Sequence, residues 1–303
     1  MFSWFARLGL ILLVIALILV TPVGAQVLKW EHAVGGDGYQ EARGSVVLDS
    51  SGNIYFAGRY GIDGLVSKFD SSGNHLWSVN WDAGGVDMFE DLVIGSNGRL
   101  YAVGWTTGVR TVTDAVLAVF DKDGVLLWDR SFGDPSEQLD FSAYGVAIDS
   151  DSNIYVVGRL YDENLDDYGA FIALFDQTGD LIWIKIWDSS DIDEQAWDVA
   201  VYENGATKAI YVVGWVGNDG FIWRCDEAGN IEWATEITAI FSSVAVDSSG
   251  NPWVGGQDSV TGLLLEFDSS TGNLLRSIGI EHSGYSKTSY NGEIYIDEDD
   301  NIY

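Results

Sequence analysis

The chain has 303 residues, with 46 acidic against 15 basic side chains and a net charge of −31. That balance excludes polyanionic partners, because nucleic acid and anionic membranes are held by Lys and Arg that displace counterions. It suits solubility, cation uptake or a cationic partner, and the single cysteine, Cys225, excludes an intramolecular disulfide.

Residues 1–25 read as a signal peptide. Arg7 supplies a positive start, Leu8 to Val20 is an apolar run of 13 residues, and Thr21-Pro22 breaks it. Val23-Gly24-Ala25 then offers small residues for cleavage before Gln26. Thirteen residues fall short of the about 20 that a membrane span needs. The chain is therefore expected to be exported, secreted or at the cell surface, with no membrane span after cleavage; an uncleaved anchor is the alternative.

Residues 26–303 form one domain on this reading. It opens on Val27-Leu28-Lys29-Trp30, which resembles a closing strand without the three that should precede it. A phrase of forty to fifty-five residues then recurs five times. Each copy starts with an aliphatic run, a polar turn and an aromatic, as in Val46 to Gly58, and the aromatic returns at Tyr55, Tyr101, Tyr155, Tyr211, Trp253 and Tyr303. Each closes with a second apolar run and turn, as in Leu65 to Trp77. The residue before that turn's Asp is Phe69, Phe120, Phe175, Cys225 and Phe267, at spacings of 51, 55, 50 and 42 residues. Such a period denotes a propeller, a solenoid or an array.

Within each copy, four short runs rich in Val, Ile, Tyr, Phe and Trp are divided by Gly- and Asn-containing turns, the signature of hairpin-linked strands. No stretch of the mature chain shows ten residues of helical periodicity. The expected fold is an all-β propeller of four-stranded blades, five complete and a sixth begun at Glu293 to Tyr303, with six or seven in an intact protein. Cys225, standing where the other copies have Phe, is expected to be buried and inert.

The phrases of Ala143 to Gly158 (AYGVAIDSDSNIYVVG) and Asp114 to Trp128 (DAVLAVFDKDGVLLW) resemble the SBBP-type repeats of secreted bacterial and archaeal propellers. The resemblance spans Val27 to Tyr303. It implies an extracellular propeller, and its shared residues are turn and core residues that specify no activity. The fourth copy departs by lengthening its first turn at Asn204 to Ala209, and the fifth by lacking the closing Trp, with Arg276 near that place.

Function is thinly written. Asp149-x-Asp151-x-Asn153 alternates oxygen ligands, yet Ile154 and Leu160 stand where a calcium-binding EF-hand loop needs Gly and Glu. No catalytic or cofactor residue is singled out, and no paired His motif or Gly-x-Ser-x-Gly occurs. The densest acidic loops hold Asp162, Asn164, Asp166 and Asp167, then Asp188, Asp191, Asp193 and Glu194. These eight are the candidate ligands for a weak calcium ion. The expected role is a non-catalytic binding or scaffold module that offers its long, acidic loops to a protein or carbohydrate, with Trp105, Trp197 and Trp215 near them. The alternative is a propeller enzyme, a quinoprotein-like oxidoreductase or a hydrolase or lyase acting on polysaccharide.

Overall fold

The computed structural model describes residues 40–108, 112–136, 138–163, 166–188, 192–205, 207–259, 261–280, 293–297 and 299–303. These form twenty strands in five four-stranded antiparallel sheets. The first blade holds β1 (Gln40–Leu48), β2 (Ile54–Tyr60), β3 (Asp63–Phe69) and β4 (His75–Trp81). The second holds β5 (Asp87–Ile94), β6 (Leu100–Thr106), β7 (Asp114–Phe120) and β8 (Leu126–Phe132). The third holds β9 (Leu139–Ile148), β10 (Ile154–Asp162), β11 (Asp167–Phe175) and β12 (Leu181–Trp187). The fourth holds β13 (Glu194–Asn204), β14 (Thr207–Val216), β15 (Asp219–Cys225) and β16 (Ile231–Ile237). The fifth holds β17 (Ile240–Val246), β18 (Pro252–Gln257), β19 (Gly262–Phe267) and β20 (Leu274–Ile280). Strands pair in chain order within each sheet. The first strands β1, β5, β9, β13 and β17 contact one another in succession, so they form the inner edge of a propeller.

Each repeated residue has a mechanical cause. The Asp that opens a turn is a local brace: Asp70 Oδ1 accepts from the amides of Ser72 and Asn74, and Oδ2 from Asn74 Nδ2. The same arrangement recurs at Asp49 and Asp226. Such side-chain bonds favour turns over continued strand. The recurrent aromatics Tyr55, Tyr101, Tyr155 and Tyr211 are almost wholly buried, and polar tips stay paired: Tyr55 donates to Asp49 Oδ2 and Tyr211 to the Gly250 carbonyl.

Blades stack through these residues. One buried cluster runs from Tyr55, Val66 and Trp81 of the first blade to Phe89, Leu92 and Phe120 of the second, and similar clusters join the later pairs. The closing Trp of each of the first four blades covers the turn glycine of the next. A Cβ at Gly179 would stand 2.7 Å from Trp128, at Gly229 2.7 Å from Trp183 and at Gly272 2.6 Å from Trp233. The fifth blade's Arg276, which replaces that Trp, lies 5.2 Å from the Trp253 ring and pairs with Glu266 at 3.4 Å. Cys225 is fully buried, as its place among the Phe residues predicts.

The lengthened turn of the fourth copy extends β13 and β14 as a hairpin from Asn204↔Thr207. Its Lys208 reaches back to the third blade and pairs with Asp149 at 2.8 Å as well as with Glu203 at 3.2 Å. The described part of the sixth copy forms one isolated bridge, Ile296↔Ile302, around the Asp297 turn. Asp300 accepts from the amide and hydroxyl of Ser248 and so docks that turn on the fifth blade. The orphan strand Val27 to Trp30 lies outside the described residues. Among those residues no helix is long and apolar enough to cross a membrane.

Candidate functional site

The inner strands β5, β9, β13 and β17 each carry a one-residue bulge. The register slips between Phe89 and Asp91, Gly145 and Ala143, Ala196 and Asp198, and Phe241 and Ser243. The bulge presses a first-strand carbonyl against the second strand. A Cβ at Gly104, Gly158 or Gly214 would overlap the carbonyl oxygen of Met88, Ser142 or Gln195. The Gly that ends each aliphatic-x-Gly phrase therefore serves this close approach.

The bulge also decides what lines the axis at the end bearing the long connections. The extra residue is Glu90, Tyr144, Trp197 or Ser242, and the residue after the second-strand glycine is Trp105, Arg159, Trp215 or Gln257; all eight are half-buried. Unlike the turns, these positions differ from blade to blade. Trp105 Nε1 donates to Glu90 Oε1 at 2.9 Å. Tyr144 and Trp197 stack with centroids 4.7 Å apart. The Arg159 guanidinium lies 5.6 Å from the Tyr144 ring and 4.9 Å from that of Tyr168. Stacked aromatics beside a guanidinium offer an amphipathic surface that suits a sugar or peptide.

One step deeper, two of the bulges bear carboxylates. Asp91 accepts from the amide of Leu92 and from that of Val146 in the next blade, at 2.7 and 2.8 Å. Asp198 does the same with Val199 and Val244, at 2.7 and 2.8 Å. Each clamps its own strand to its neighbour's. Gly145 takes the equivalent place between them, where a Cβ would stand 2.8 Å from Asp198 Cα. Burial pushes the Asp198 carboxyl well above the ordinary range, and the charge of Asp91 adds to the rise.

The long connections share one face with this axial mouth, and the expected acidic loops lie there. Asp162 pairs with Asp167 across the end of the β10–β11 hairpin. Asp166 accepts instead from the Tyr161 hydroxyl at 2.9 Å. Asp167 and Asp193 share the Tyr168 amide, at 3.0 and 3.3 Å. Burial raises the Asp167 carboxyl, with further contributions from the charges of Asp188 and Asp193. Glu194 is buried at the start of β13, opposite Val216. Asn164 and Asp191 lie outside the described residues. The structure thus joins Asp167, Asp188 and Asp193 between the third and fourth blades and turns Asp166 elsewhere.

Two features were missed by reading loops one at a time. Asp63, Asp82 and Asp87, from two different connections, offer carboxylate oxygens within 4.8 Å of one another. The unlike bulge residues Glu90, Tyr144 and Trp197 were hidden as well. A signal for them existed: fourteen residues before Gly104, Gly158 and Gly256 stand Glu90, Tyr144 and Ser242, three unlike residues in otherwise matching phrases. By contrast, the Asp149 carboxylate is filled by Asn153 and Lys208 and has no calcium-loop geometry.

Solved structures share this fold at low identity. A protein of unknown function from Bacteroides caccae is 14% identical, with a TM-score of 0.56 over 84% of this chain and 89% of its own. Virginiamycin B lyase from Staphylococcus aureus is 13% identical, with a TM-score of 0.51 over 80% of this chain and 70% of its own. The Dos1 propeller is 12% identical, with a TM-score of 0.51 over 87% of this chain and 66% of its own. These likenesses are to the β-propeller fold, which hosts enzymes and non-enzymes alike. No protein-family model and no curated protein matches the chain.

Proposed function

We propose that this propeller is an exported, non-catalytic binding module that offers its long-loop face and axial mouth to a protein or carbohydrate. One observation carries the reading: equivalent positions at the long-loop end of the inner strands hold unlike residues, with Tyr144, Trp197 and Arg159 packed together and Glu90 bonded to Trp105. The turns at the opposite ends of the blades repeat one form, braced by Asp in all but the Gly95 turn of the second blade and the lengthened β13–β14 turn of the fourth. Variable residues on a rigid frame are where recognition usually resides. Export rests on the leader at residues 1–25, and the SBBP-type resemblance of the repeats agrees with it. Carboxylates of Asp167, Asp188 and Asp193 would take up calcium weakly and draw their loops together.

Affinity electrophoresis through gels containing neutral polysaccharides, with retention on immobilised basic protein run alongside, tests the reading. Retardation by one of these that is lost in Tyr144→Ala/Trp197→Ala but kept in Trp128→Ala supports it. Absence of any retardation, or retardation unchanged in the double variant, rejects it. A propeller enzyme would use the same mouth, with Glu90 and Arg159 as its polar groups. Turnover of a polysaccharide that is lost in Glu90→Gln would favour that alternative.

A further inference from the structure

The connection between the first two blades has a feature that neither turn chemistry nor packing uses. Asp87, the first residue of β5, is fully buried, and its Oδ2 accepts from the Ala83 amide at 2.9 Å. Its Oδ1 is also buried and has no hydrogen-bond partner of acceptable geometry. A buried carboxylate oxygen left bare costs free energy that folding must supply from elsewhere. Asp63, at the start of β3, and the exposed Asp82, just after β4, bring two further carboxylates to it.

Each of those neighbours is also half-occupied. Asp82 Oδ1 accepts from the Gly84 amide at 2.7 Å, and Asp63 Oδ2 from Asn80 Nδ2 at 3.5 Å. Among the described residues none of the three forms an ion pair. Three carboxylates thus converge, and among the described residues no Lys or Arg pairs with them. Burial raises the Asp87 carboxyl, and the charges of Asp82 and Asp63 raise it further, while Thr106 and the Ala83 amide partly offset the shift.

We propose that Asp63, Asp82 and Asp87 hold one divalent cation, calcium by preference, that ties the first blade to the second. The oxygens lie within 4.8 Å of one another. Two oxygens on one calcium ion, at about 2.3–2.6 Å each, reach up to about 5 Å apart, and calcium accepts flexible carboxylate sets where magnesium demands near-ideal octahedral geometry and keeps its waters. The ion would compensate the buried Asp87 carboxylate and cancel the repulsion among the three charges. With Asp63 and Asp82 from the first blade and Asp87 from the second, it acts as a cross-link between sheets. The site is separate from Asp167, Asp188 and Asp193 and stands whether or not the axial mouth binds a ligand.

Terbium, a hard oxygen-seeking cation excited through tryptophan, is the probe. Trp81 adjoins Asp82 in the chain and packs on Phe89 with centroids 5.4 Å apart. Titration of the full chain should give saturable terbium emission that calcium displaces with a midpoint in the range of about 10⁻⁴–10⁻³ M, and that sodium at matched ionic strength does not. Asp82→Asn, an exposed change that leaves the core intact, and Asp87→Asn, whose amide oxygen can still accept from Ala83, should each weaken binding at least tenfold. Asp193→Asn should leave it within twofold. No saturable emission, emission that calcium fails to displace, unchanged affinity in both Asp82→Asn and Asp87→Asn, or an equal loss in Asp193→Asn would each overturn the site.

Discussion

At Cys225 a single substitution within the repeat reports its environment. The thiol sits at the end of β15 among Tyr155, Ile210 and Trp223 in the cluster joining the third and fourth blades. Burial pushes its pKa up to about 12, so the reactive thiolate is scarce at neutral pH. A polar thiol reagent is expected to leave the native protein unlabelled for hours and to react fully once denaturant unfolds it. Asp198 shows the opposite case, a polar group that the interior needs. Its two oxygens satisfy the amides of Val199 and Val244, and truncation would leave both donors without an acceptor. Asp198→Ala should therefore cost about 2–5 kcal/mol by chemical denaturation, well above the cost of Ser243→Ala at the equivalent place in the fifth blade.

The hairpin turn is the element on which pH acts most directly. The carboxylates of Asp70, Asp176, Asp226 and Asp297 are held below their ordinary value, first by side-chain bonds from Asn74, Thr178, Asn230 and Asn301. Asp268 falls to about 2, chiefly through the Ser270 and Thr271 hydroxyls. A carboxyl with a depressed folded pKa adds stability that is fully present above its unfolded value and is lost as pH falls through the folded one. Melting temperature should hold steady down to pH about 4 and then drop steeply toward pH about 2. A variant carrying Asp226→Ala and Asp268→Ala should start from a lower plateau and fall less over that window. Equal slopes for the two proteins in a pH-melting series would exclude the turns as the source of acid sensitivity.

For the whole molecule, a net charge of −31 acts on a frame whose loop face concentrates carboxylates. Self-repulsion of that size destabilises the compact state, and added salt screens it over a shorter Debye length. Raising sodium chloride from about 0.02 to about 0.5 M should raise the melting temperature by about 2–8 °C, the shift that about 1–2 kcal/mol produces in a domain of this size. A melting temperature that falls with salt would mean that attractive ion pairs, such as Lys208 with Asp149, outweigh the repulsion. The five stacked sheets make the result readable as one number, because buried clusters join every pair of successive blades.

The blade plan was legible in the residues alone because its causes are local. An Asp bonds its own turn two and four residues on, a Gly takes the left-handed position, and strands alternate inside a period of about fifty residues. Ser152 at φ 65° keeps that turn even without glycine, so the Asp brace carries it there. The burial of Cys225 was equally readable, since its place in the phrase is a core place in every other copy. The site was not readable in the same way. Asp63 meets Asp87 across 24 residues and two connections, and Asp91 reaches Val146 across 55, distances that only the stacking of blades can close. The bulges decide which inner-strand residues face the axis, because one inserted residue reverses the alternation of every side chain beyond it. Local bonding therefore wrote the repeat into the chain, and the packing of one blade on the next determined which of its many carboxylates and aromatics came to stand together.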